Sequence, residues 1–456
     1  MTYQANGCRP EKVCVVGAGP SGLIMARQLL RAGIPFDLYE KHSDVGGIWD
    51  PENPGSPMYN SAHFISSKHT SYFYGFPMPE HYPDYPSWRQ LRDYIRSFAR
   101  SYGLYDHITF NAPVEAARLV DGEWRVTVAG NEHRYRALIA APGVTWHPSR
   151  PNFPGLDTFR GQARHSVTYR HPDEFRHQRV LIVGGGNSGA DIACDAARNA
   201  DAAFFSVRRG YRYIPKHIFG VPLDVFVNEG GQPPAGVVVP EDPSALVDAL
   251  VGDLTRYGLP APDHDALASH PIVNTQIIHH LSHGDITAKP DVARFTPDGV
   301  VFADGSEEQI DLVIFATGYD YKVPFVDESV FEWRNRHPQL YLNVFNRQVD
   351  SLYVLGFIEF ADAAYHRFDE MAQLVAIDLS VAGSEKARFR HLKSSHYPDL
   401  RGSMQYIDSP RHASYVETHT YQHVLAEIRE AFGWPAVDNA YFEALPTGLE
   451  PVLAGR

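Results

Sequence analysis

The chain has 456 residues, 44% hydrophobic and 21% charged, values that are typical of a globular protein of two or three domains. Its formal net charge of −13 argues against a nucleic-acid or anionic-membrane partner, and no apolar run reaches the ~18 residues that a membrane span requires. The 3 cysteines form no C-x-x-C pair, and the N-terminus lacks the apolar core of a signal peptide. Among the 23 histidines, His279, His280 and His283 lie close together on a possible helix, where a solvated polar face is the favoured interpretation, so we expect a cytoplasmic protein without a metal.

A glycine-rich turn follows the first apolar segment. Residues 13–16 are apolar and mostly β-branched, which predicts a buried parallel strand, and residues 23–30 have a helical pattern. Between them lies the first glycine loop, residues 17–22 (Gly-Ala-Gly-Pro-Ser-Gly), whose spacing suits a tight turn around a pyrophosphate and close packing of the helix. The strand predicted at 35–39 ends in Glu40, a carboxylate that can accept hydrogen bonds from ribose hydroxyls. These features predict a dinucleotide site that suits FAD or NAD.

A Gly-Gly-Ile-Trp turn at 46–49 is a second place where backbone can approach a ligand closely. The segment 50–86 is rich in Pro, Tyr, Ser and His, and its aromatic residues favour an ordered loop. The pattern then predicts an amphipathic helix over 88–102. A small antiparallel group of strands follows, predicted at 108–110, 114–119, 124–128 and 137–141.

The second glycine loop, residues 184–189 (Gly-Gly-Gly-Asn-Ser-Gly), repeats the first. It lies between a strand predicted at 179–183 and a helix predicted at 190–199, and the following strand ends in Arg208 and Arg209. The strand tip that carries an acid after the first loop thus carries two arginines after the second. A carboxylate repels the 2′-phosphate of NADPH and an arginine binds it, so this loop suits NADPH; a solvated surface pair is the alternative for the two arginines.

Two apolar strands, predicted at 137–141 and 311–316, lead into small-residue turns. The chain before residue 150 offers too few parallel strands for a full Rossmann sheet around the first glycine loop, so we expect the strand at 311–316 to complete it. This predicts a discontinuous FAD-binding domain, 1–165 plus 300–456, with the NADPH-binding domain, 166–299, inserted and joined near 166–170 and 287–292. Within it, the Pro- and Gly-rich residues 220–265 form an insertion at the substrate entrance or a homodimer contact.

The segment between the glycine loops, residues 159–169 (FRGQARHSVTY), matches the F-x-G-x-x-x-H-x-x-x-Y motif of flavin-containing monooxygenases. The Gly-Gly-Ile-Trp turn, Phe-Pro-Met-Pro at 76–79 and Ala-Thr-Gly-Tyr at 316–319 also resemble that family, in the same order along the chain. The resemblance covers 13–319 and continues toward the C-terminus. Related Baeyer–Villiger monooxygenases end the motif in Trp, whereas Tyr169 ends it here, which favours the branch that oxidises heteroatoms.

The resemblance implies an α/β protein with two Rossmann-like dinucleotide-binding domains that binds FAD and NADPH and uses O2 as co-substrate. In this family NADPH reduces FAD, and a flavin C4a-hydroperoxide then transfers one oxygen atom to a sulfide or amine. We therefore expect an NADPH-dependent flavin monooxygenase with a small apolar or aromatic substrate that contains S or N. A NAD(P)H oxidase that produces H2O2 and a Baeyer–Villiger-type ketone monooxygenase are the alternatives.

One position departs from the family pattern. Tyr59, Ser61 and Lys68 resemble the family's Y-x-S…K segment, which usually has Asn three residues before the Lys, beside the reactive edge of the flavin. Ile65 takes that place here. An apolar side chain keeps a site dry but cannot donate a hydrogen bond, so the coupling of oxygenation and the preference for NADPH over NADH are open.

The resemblance and the motifs together nominate the site residues. Together with the Ile65 position, His165 and Tyr169 are the candidate catalytic residues. The alternative for His165 is a role in holding the loop between the domains. A helix from about 366 to 381 is expected to direct its N-terminus at the flavin, after a last core strand at 354–358, and an amphipathic tail helix is expected at 415–432. We expect FAD to contact Gly17, Gly19, Pro20, Ser21, Gly22, Glu40, Lys41, Gly47, Ile48, Trp49, Val114, Thr317 and Gly318, and NADP to contact Gly184, Gly186, Asn187, Ser188, Gly189, Ser206, Arg208 and Arg209.

Overall fold

A computed structural model of the protein describes residues 10–361 and 363–443. The outer ends of the FAD-binding domain that we predict from the sequence, residues 1–9 and 444–456, lie outside the described residues. Within the described ranges no helix is both long and apolar enough to cross a membrane.

Two mainly parallel sheets organise the chain. In spatial order the first sheet contains the strands Leu340–Tyr341, Phe345–Asn346, Leu352–Val354, Ala137–Ala140, Val13–Val16, Phe36–Tyr39 and Ile108–Thr109. The strands from Leu352–Val354 onward are parallel, and the other two form an antiparallel hairpin at one edge. The second sheet is entirely parallel and contains Thr287–Lys289, Ala202–Ser206, Arg179–Val183, Leu312–Phe315 and Gln162–His165.

The two sheets have the same internal order, which confirms the predicted repeat. In each, the strand before the glycine loop is central, the strand after the following helix lies on one side, and a strand that leads into a small-residue turn lies on the other. This order places each glycine loop at the carboxyl edge of its sheet, where α/β proteins bind ligands. The first sheet with the helices packed on it is the first unit, and the second sheet with its helices is the second unit.

The helices agree closely with the sequence-based expectations. The helix Trp88–Ser101 begins with a capping box, in which the side chains of Ser87 and Gln90 each accept a hydrogen bond from the other's backbone N–H, and it buries the expected apolar face. The predicted helices at 366–381 and 415–432 are found at Tyr365–Ser380 and Thr418–Phe432. The other described helices are Pro20–Arg31, Asn187–Asn199, Leu223–Asn228, Pro243–Val251, Gln276–His283, Gly383–Ser395 and Asn439–Glu443.

Small antiparallel sheets complete each unit. Val114–Val120 and Glu123–Val128 confirm two strands of the expected antiparallel group in the first unit, and Asn131–Tyr135, which the pattern did not predict, is its third strand. The other two strands expected in this group are wrong, because Ile108–Thr109 and the fully buried Ala137–Ala140 pair in parallel within the first sheet. The second unit has an equivalent group, Val292–Thr296, Gly299–Phe302 and Glu307–Gln309, directly before Leu312–Phe315. The repeat therefore extends beyond the glycine loops. Two further hairpins pair His217–Ile218 with Val221–Pro222 and Trp333–Arg334 with His337–Pro338.

The expectation that the strand at 311–316 completes the first sheet is wrong. Leu312–Phe315 lies in the second sheet, parallel to both Arg179–Val183 and Gln162–His165. The first sheet is completed instead by Leu352–Val354, which pairs with Ala137–Ala140. The expected strand at 354–358 thus lies earlier than predicted, and the sheets divide the chain near 150 and 320 rather than at 165 and 300.

The two connections between the units run side by side. Ser149 N donates to Gly318 O at 2.9 Å, and Asp320 N donates to His147 O at 2.8 Å, so the outgoing and returning chains form a short antiparallel bridge. The expected crossings near 166–170 and 287–292 are therefore wrong. They fail because both segments begin or end at strands of the second sheet.

The insertion at 220–265 contains the helices Leu223–Asn228 and Pro243–Val251. Asp224 accepts a hydrogen bond from the backbone N–H of Ser67 at 2.7 Å. The start of the insertion therefore contacts the segment 50–86, which is the long loop of the first unit. Val238 farther along is 92% exposed.

Candidate functional site

The first glycine loop is closed by contacts that only glycine allows. Gly17 has a φ of +105°, and a Cβ there would lie 2.4 Å from the carbonyl oxygen of Ala141. A Cβ on Gly22 would lie 1.9 Å from the carbonyl oxygen of Gly17. The helix Pro20–Arg31 therefore starts directly against the end of the strand, with its unpaired N–H groups and positive dipole end at the loop.

The Gly-Gly-Ile-Trp turn faces this loop. Gly46 N donates to Ala18 O at 3.2 Å, and a Cβ on Gly19 would lie 3.5 Å from the Cα of Gly47. Gly46, with a φ of +131°, leads into the short turn Gly47–Trp49. Backbone without side chains thus forms two walls of one cleft, the surface that a pyrophosphate requires. Pro20, Ser21 and Ile48 lie on these same two turns.

Glu40 is buried, and it ties the end of the second strand to the loop. Its Oε2 accepts from Ala18 N at 2.6 Å and its Oε1 accepts from His42 N at 2.8 Å. Because each carboxylate oxygen has two acceptor positions, both oxygens retain capacity for ribose hydroxyls. The carboxylate is therefore held in place before any ligand arrives.

Lys41 and Trp146 flank that end of the cleft. The Lys41 Nζ lies 3.8 Å from the centroid of the Trp146 ring, and burial lowers the pKa of Lys41. A Cβ on Gly55 would lie 3.6 Å from the same ring and a Cβ on Gly143 2.7 Å from its Nε1, so both positions have space for glycine beside it. Trp146 could not be identified from the sequence, because it lies in an irregular connection whose pattern carries no ligand motif.

Aromatic rings surround the other end. The Trp49 and Phe64 ring centroids are 5.3 Å apart, and those of Phe64 and Tyr365 are 5.7 Å apart. Tyr365 is the first residue of the helix Tyr365–Ser380, so the positive dipole end of that helix lies in this region. Half-buried Ile65 is adjacent to Phe64. FAD has a flat ring system, a pyrophosphate and ribose hydroxyls. The aromatic rings, the backbone-lined cleft and the Glu40 carboxylate suit these three groups, so the residues present fit FAD.

The second glycine loop has the same geometry. Gly184 has a φ of +117°, and its Cβ would lie 2.4 Å from Ala316 O, while a Cβ on Gly189 would lie 1.9 Å from Gly184 O. Gly186 faces open space, which leaves room for a pyrophosphate. The matched distances show that both loops are closed by the same contact between strand, helix and small-residue turn.

The other residues that we expect at the NADP site lie on this loop and at the end of the next strand. Some of them are engaged in internal hydrogen bonds, and the others are exposed or half-buried. Asn187 is engaged internally, since its Nδ2 donates to Pro271 O at 2.8 Å and its Oδ1 accepts from Val273 N at 2.9 Å. Ser206 is also buried, and its hydroxyl donates to Pro290 O at 2.7 Å. Ser188 and Arg208 are exposed, and Arg209 is half-buried near Asp263 and His412.

His165 holds the connection between the units. Its Nδ1 accepts from Val167 N at 3.1 Å, so its Nε2 carries the proton and donates to Gly318 O at 3.0 Å. Burial lowers the pKa of His165, which keeps the ring neutral. With both nitrogens engaged, His165 has the geometry of the holding role that we gave as its alternative.

Tyr169 is fully buried in the second unit. Its ring stacks on Phe175 at 4.9 Å, its hydroxyl donates to Asp195 Oδ2 at 2.9 Å, and burial raises its pKa. Thr317 lies at the end of a strand of the second sheet, where its Oγ1 donates to Ser149 O at 2.6 Å. Gly318 follows it in the bridge between the units. Val114 is half-buried at the start of Val114–Val120.

Two dinucleotide cradles, one with a carboxylate at its ribose end and one with arginines, define a flavoprotein oxidoreductase that uses a nicotinamide dinucleotide. A sequence model of flavin-binding monooxygenase-like proteins matches residues 10–377. Human flavin-containing monooxygenase 2 is 32% identical over 375 residues, which cover 76% of this chain and 69% of that protein.

Solved structures share the fold. A flavin-containing monooxygenase from Stenotrophomonas maltophilia aligns with a TM-score of 0.62 at 21% identity, over 82% of this chain and 99% of that one. Cyclohexanone monooxygenase in an open form aligns with a TM-score of 0.68 at 16% identity, over 94% and 99%. The chain belongs to the flavin-binding monooxygenase-like family, and it is an NADPH-dependent flavin monooxygenase that uses FAD, NADPH and O2.

Proposed function

We propose that this enzyme inserts one oxygen atom into the sulfur or nitrogen of a small apolar or aromatic substrate, with FAD in the first unit and NADPH in the second. The observation that carries the assignment of the cofactors is the pair of glycine loops, alike in geometry but unlike at the strand tip. Glu40 lies at one tip and Arg208 at the other. A carboxylate selects ribose hydroxyls, whereas an arginine selects a 2′-phosphate.

The chain's own residues bind, orient and exclude water. FAD supplies the hydride-accepting and oxygen-activating chemistry when bound. The first glycine loop and the Gly-Gly-Ile-Trp turn hold its pyrophosphate, and Trp49, Phe64 and Tyr365 surround the ring with apolar surface. The FAD-binding unit consists of two chain stretches, and the NADPH-binding unit is inserted between the two connections near 150 and 320.

The test compares substrate classes. Purified enzyme is given NADPH and O2 with a thioether, a tertiary amine or a cyclic ketone, and oxygenated product is measured per NADPH consumed. S-oxide or N-oxide formation near one per NADPH supports the proposal. Turnover of the ketone alone, to a lactone, would assign the Baeyer–Villiger reaction instead, and H2O2 without product in all three would assign the oxidase.

The arginines are tested through the electron donor. The double change Arg208→Ala/Arg209→Ala is expected to raise the KM for NADPH about 10- to 100-fold and to leave that for NADH nearly unchanged, because a hydrogen bond to a charged group contributes about 1.5–3 kcal/mol. Initial rates with each donor measure this. Arg256→Ala, an exposed arginine in the insertion, is the control for loss of positive charge. Equal effects on both donors would show that these arginines do not bind the phosphate.

Ile65 favours a second candidate function, the oxidase. An isoleucine supplies no hydrogen bond at the place where the family has Asn, so NADPH oxidation can end in H2O2. Ile65→Asn is expected to lower the H2O2 released per NADPH about 2- to 10-fold, the range of one hydrogen bond of about 0.5–1.5 kcal/mol. Peroxide and product are quantified together, with Ile65→Val as the apolar control. An unchanged ratio in Ile65→Asn would show that this position does not govern coupling.

A further inference from the structure

Two carboxylates on the helix Asn187–Asn199 hold the long loop of the first unit. Asp191 Oδ2 accepts from the Tyr59 hydroxyl at 2.9 Å, and Asp195 Oδ2 accepts from the Ser61 hydroxyl. The loop thus runs along the first turns of the helix that starts at the second glycine loop. Tyr59 and Ser61 belong to one unit, and the two carboxylates belong to the other.

The carboxylates are also fixed from their own side. Asn274 Nδ2 donates to Asp191 Oδ1 at 2.6 Å, and the Tyr169 hydroxyl donates to Asp195 Oδ2 at 2.9 Å. Asp195 is only 4% exposed, and burial raises the pKa of Asp191. Hydrogen bonds to carboxylates in such surroundings are strong and directional, so the contacts with the loop are rigid.

The loop and the helix each lead to a cofactor cradle. Phe64 and Ile65 follow Ser61 closely in the chain, and the Phe64 ring contacts Trp49 and Tyr365. At the other end, the helix Asn187–Asn199 that carries both carboxylates begins within the second glycine loop. The helix, its two hydrogen bonds to Tyr59 and Ser61, and the short chain segment 61–64 therefore connect the second glycine loop with the aromatic end of the FAD cleft.

We propose that Tyr59–Asp191 and Ser61–Asp195 form an interunit clamp, by which occupancy of the second glycine loop fixes the position of Phe64 and Ile65. The inference rests on the proposed function in placing Ile65 beside FAD. Asp191 and Asp195 are positioning residues, since they act through the loop. They keep the loop closed over the site while the dinucleotide is bound and so exclude water from it.

A cavity of about 430 Å³ adjoins the clamp, and both carboxylates, Ser61, His63 and Lys216 line it. The loop therefore has room to move outward when the clamp is broken, and water has room to enter. Loss of the two hydroxyls is expected to loosen the loop without unfolding either sheet, because backbone hydrogen bonds from Asn60 N to Arg170 O and from Phe64 N to Pro86 O, both 2.8 Å, remain.

Hydrogen-exchange mass spectrometry tests the clamp without reference to turnover. In the FAD-loaded wild type, NADP+ is expected to slow exchange over residues 59–68, and in Tyr59→Phe/Ser61→Ala this slowing is lost while FAD content is unchanged. Ser71→Ala is the matched control, because the Ser71 hydroxyl is buried without a partner among the described residues. The single variant Ser61→Thr keeps a hydroxyl at this position and also keeps Tyr59. It is expected to show at least part of the protection by NADP+ that the double variant loses.

A second experiment measures coupling, the share of NADPH oxidation that yields oxygenated product instead of H2O2. The double variant is expected to release about threefold or more H2O2 per NADPH, because the loop no longer closes the site while the dinucleotide is bound. Protection by NADP+ that persists in the double variant overturns the clamp whatever the coupling. A wild type that oxygenates nothing refutes the proposed function, and the exchange result still decides the clamp.

Discussion

The Gly22→Ala protein is expected to be purified without FAD, whereas the Gly189→Ala protein is expected to keep FAD and to lose its reduction by NADPH. The two changes are chemically identical and occupy the same place in the two halves of the repeat. In each, the new Cβ would lie 1.9 Å from a carbonyl oxygen of the loop, that of Gly17 or Gly184. The helix must therefore move off the sheet.

The movement removes the surface that binds a pyrophosphate. The helix N-terminus supplies N–H groups and the positive dipole end at the loop, so its displacement weakens several hydrogen bonds to a charged group, each contributing about 1.5–3 kcal/mol. Overpacking itself costs about 1–3 kcal/mol, which a chain of this size tolerates. Each substitution is therefore expected to abolish binding of the dinucleotide while the chain still folds.

Absorbance near the flavin band and anaerobic mixing with NADPH measure the two outcomes. Gly33→Ala is the control, because Gly33 also has a positive φ, +65°, but among residues 10–361 and 363–443 no atom beyond its chain neighbours lies within 4 Å of the position of its Cβ. It is expected to keep FAD and its reduction. A Gly22→Ala protein with full FAD content would contradict the assignment of the first glycine loop, and normal reduction of Gly189→Ala would contradict that of the second.

Both glycine loops could be predicted from sequence because their determinants are local. A short apolar strand, three glycines at fixed spacing and a helical pattern lie within about twenty residues, and the residue at the tip of the next strand adds the ribose chemistry. The same holds for the helix Trp88–Ser101, whose cap and buried face are both in its own sequence. Local rules thus describe the cradles and most of the helices.

The strand Leu312–Phe315 shows where local rules end. Its sequence is as apolar as that of Leu352–Val354, and by the local pattern either strand could have completed the first sheet. In the structure Ala316 O closes on Gly184 and so places this strand beside the second glycine loop, as Ala141 O closes on Gly17 beside the first. That choice depends on contacts between residues more than a hundred positions apart.

The clamp and Trp146 could not be predicted for the same reason. Tyr59 and Asp191 are separated by 132 positions, and Ser61 and Asp195 by 134, so neither carboxylate stands out from an ordinary polar residue on a helix. His165 is an intermediate case. Its motif identified it, but only the structure shows that both of its nitrogens are engaged in the connection between the units.

The second large effect is expected at a buried ion pair that joins the two helices next to the FAD cleft. Arg27 on Pro20–Arg31 donates to Asp369 on Tyr365–Ser380, and both side chains are at most 2% exposed. The backbone of Tyr74 completes the network, since its N–H donates to Asp369 Oδ2 at 2.9 Å and its C=O accepts from Arg27 Nη1 at 2.7 Å. Asp369→Asn leaves the guanidinium buried without a counter-charge, which costs about 3–5 kcal/mol.

Because this pair aligns the helix that begins at Tyr365 with the helix of the first glycine loop, its loss is expected to lower the temperature at which FAD is released as well as the unfolding temperature. Flavin fluorescence on heating measures the first and circular dichroism the second. Asp399→Asn removes an equal charge from an exposed pair with Arg401 and is expected to cost less than about 1 kcal/mol. Arg27→Met/Asp369→Leu removes both charges and is expected to be more stable than Asp369→Asn, because apolar side chains of similar volume leave no unpaired charge. If Asp369→Asn and Asp399→Asn release FAD at the same temperature, the buried pair does not hold the two helices together.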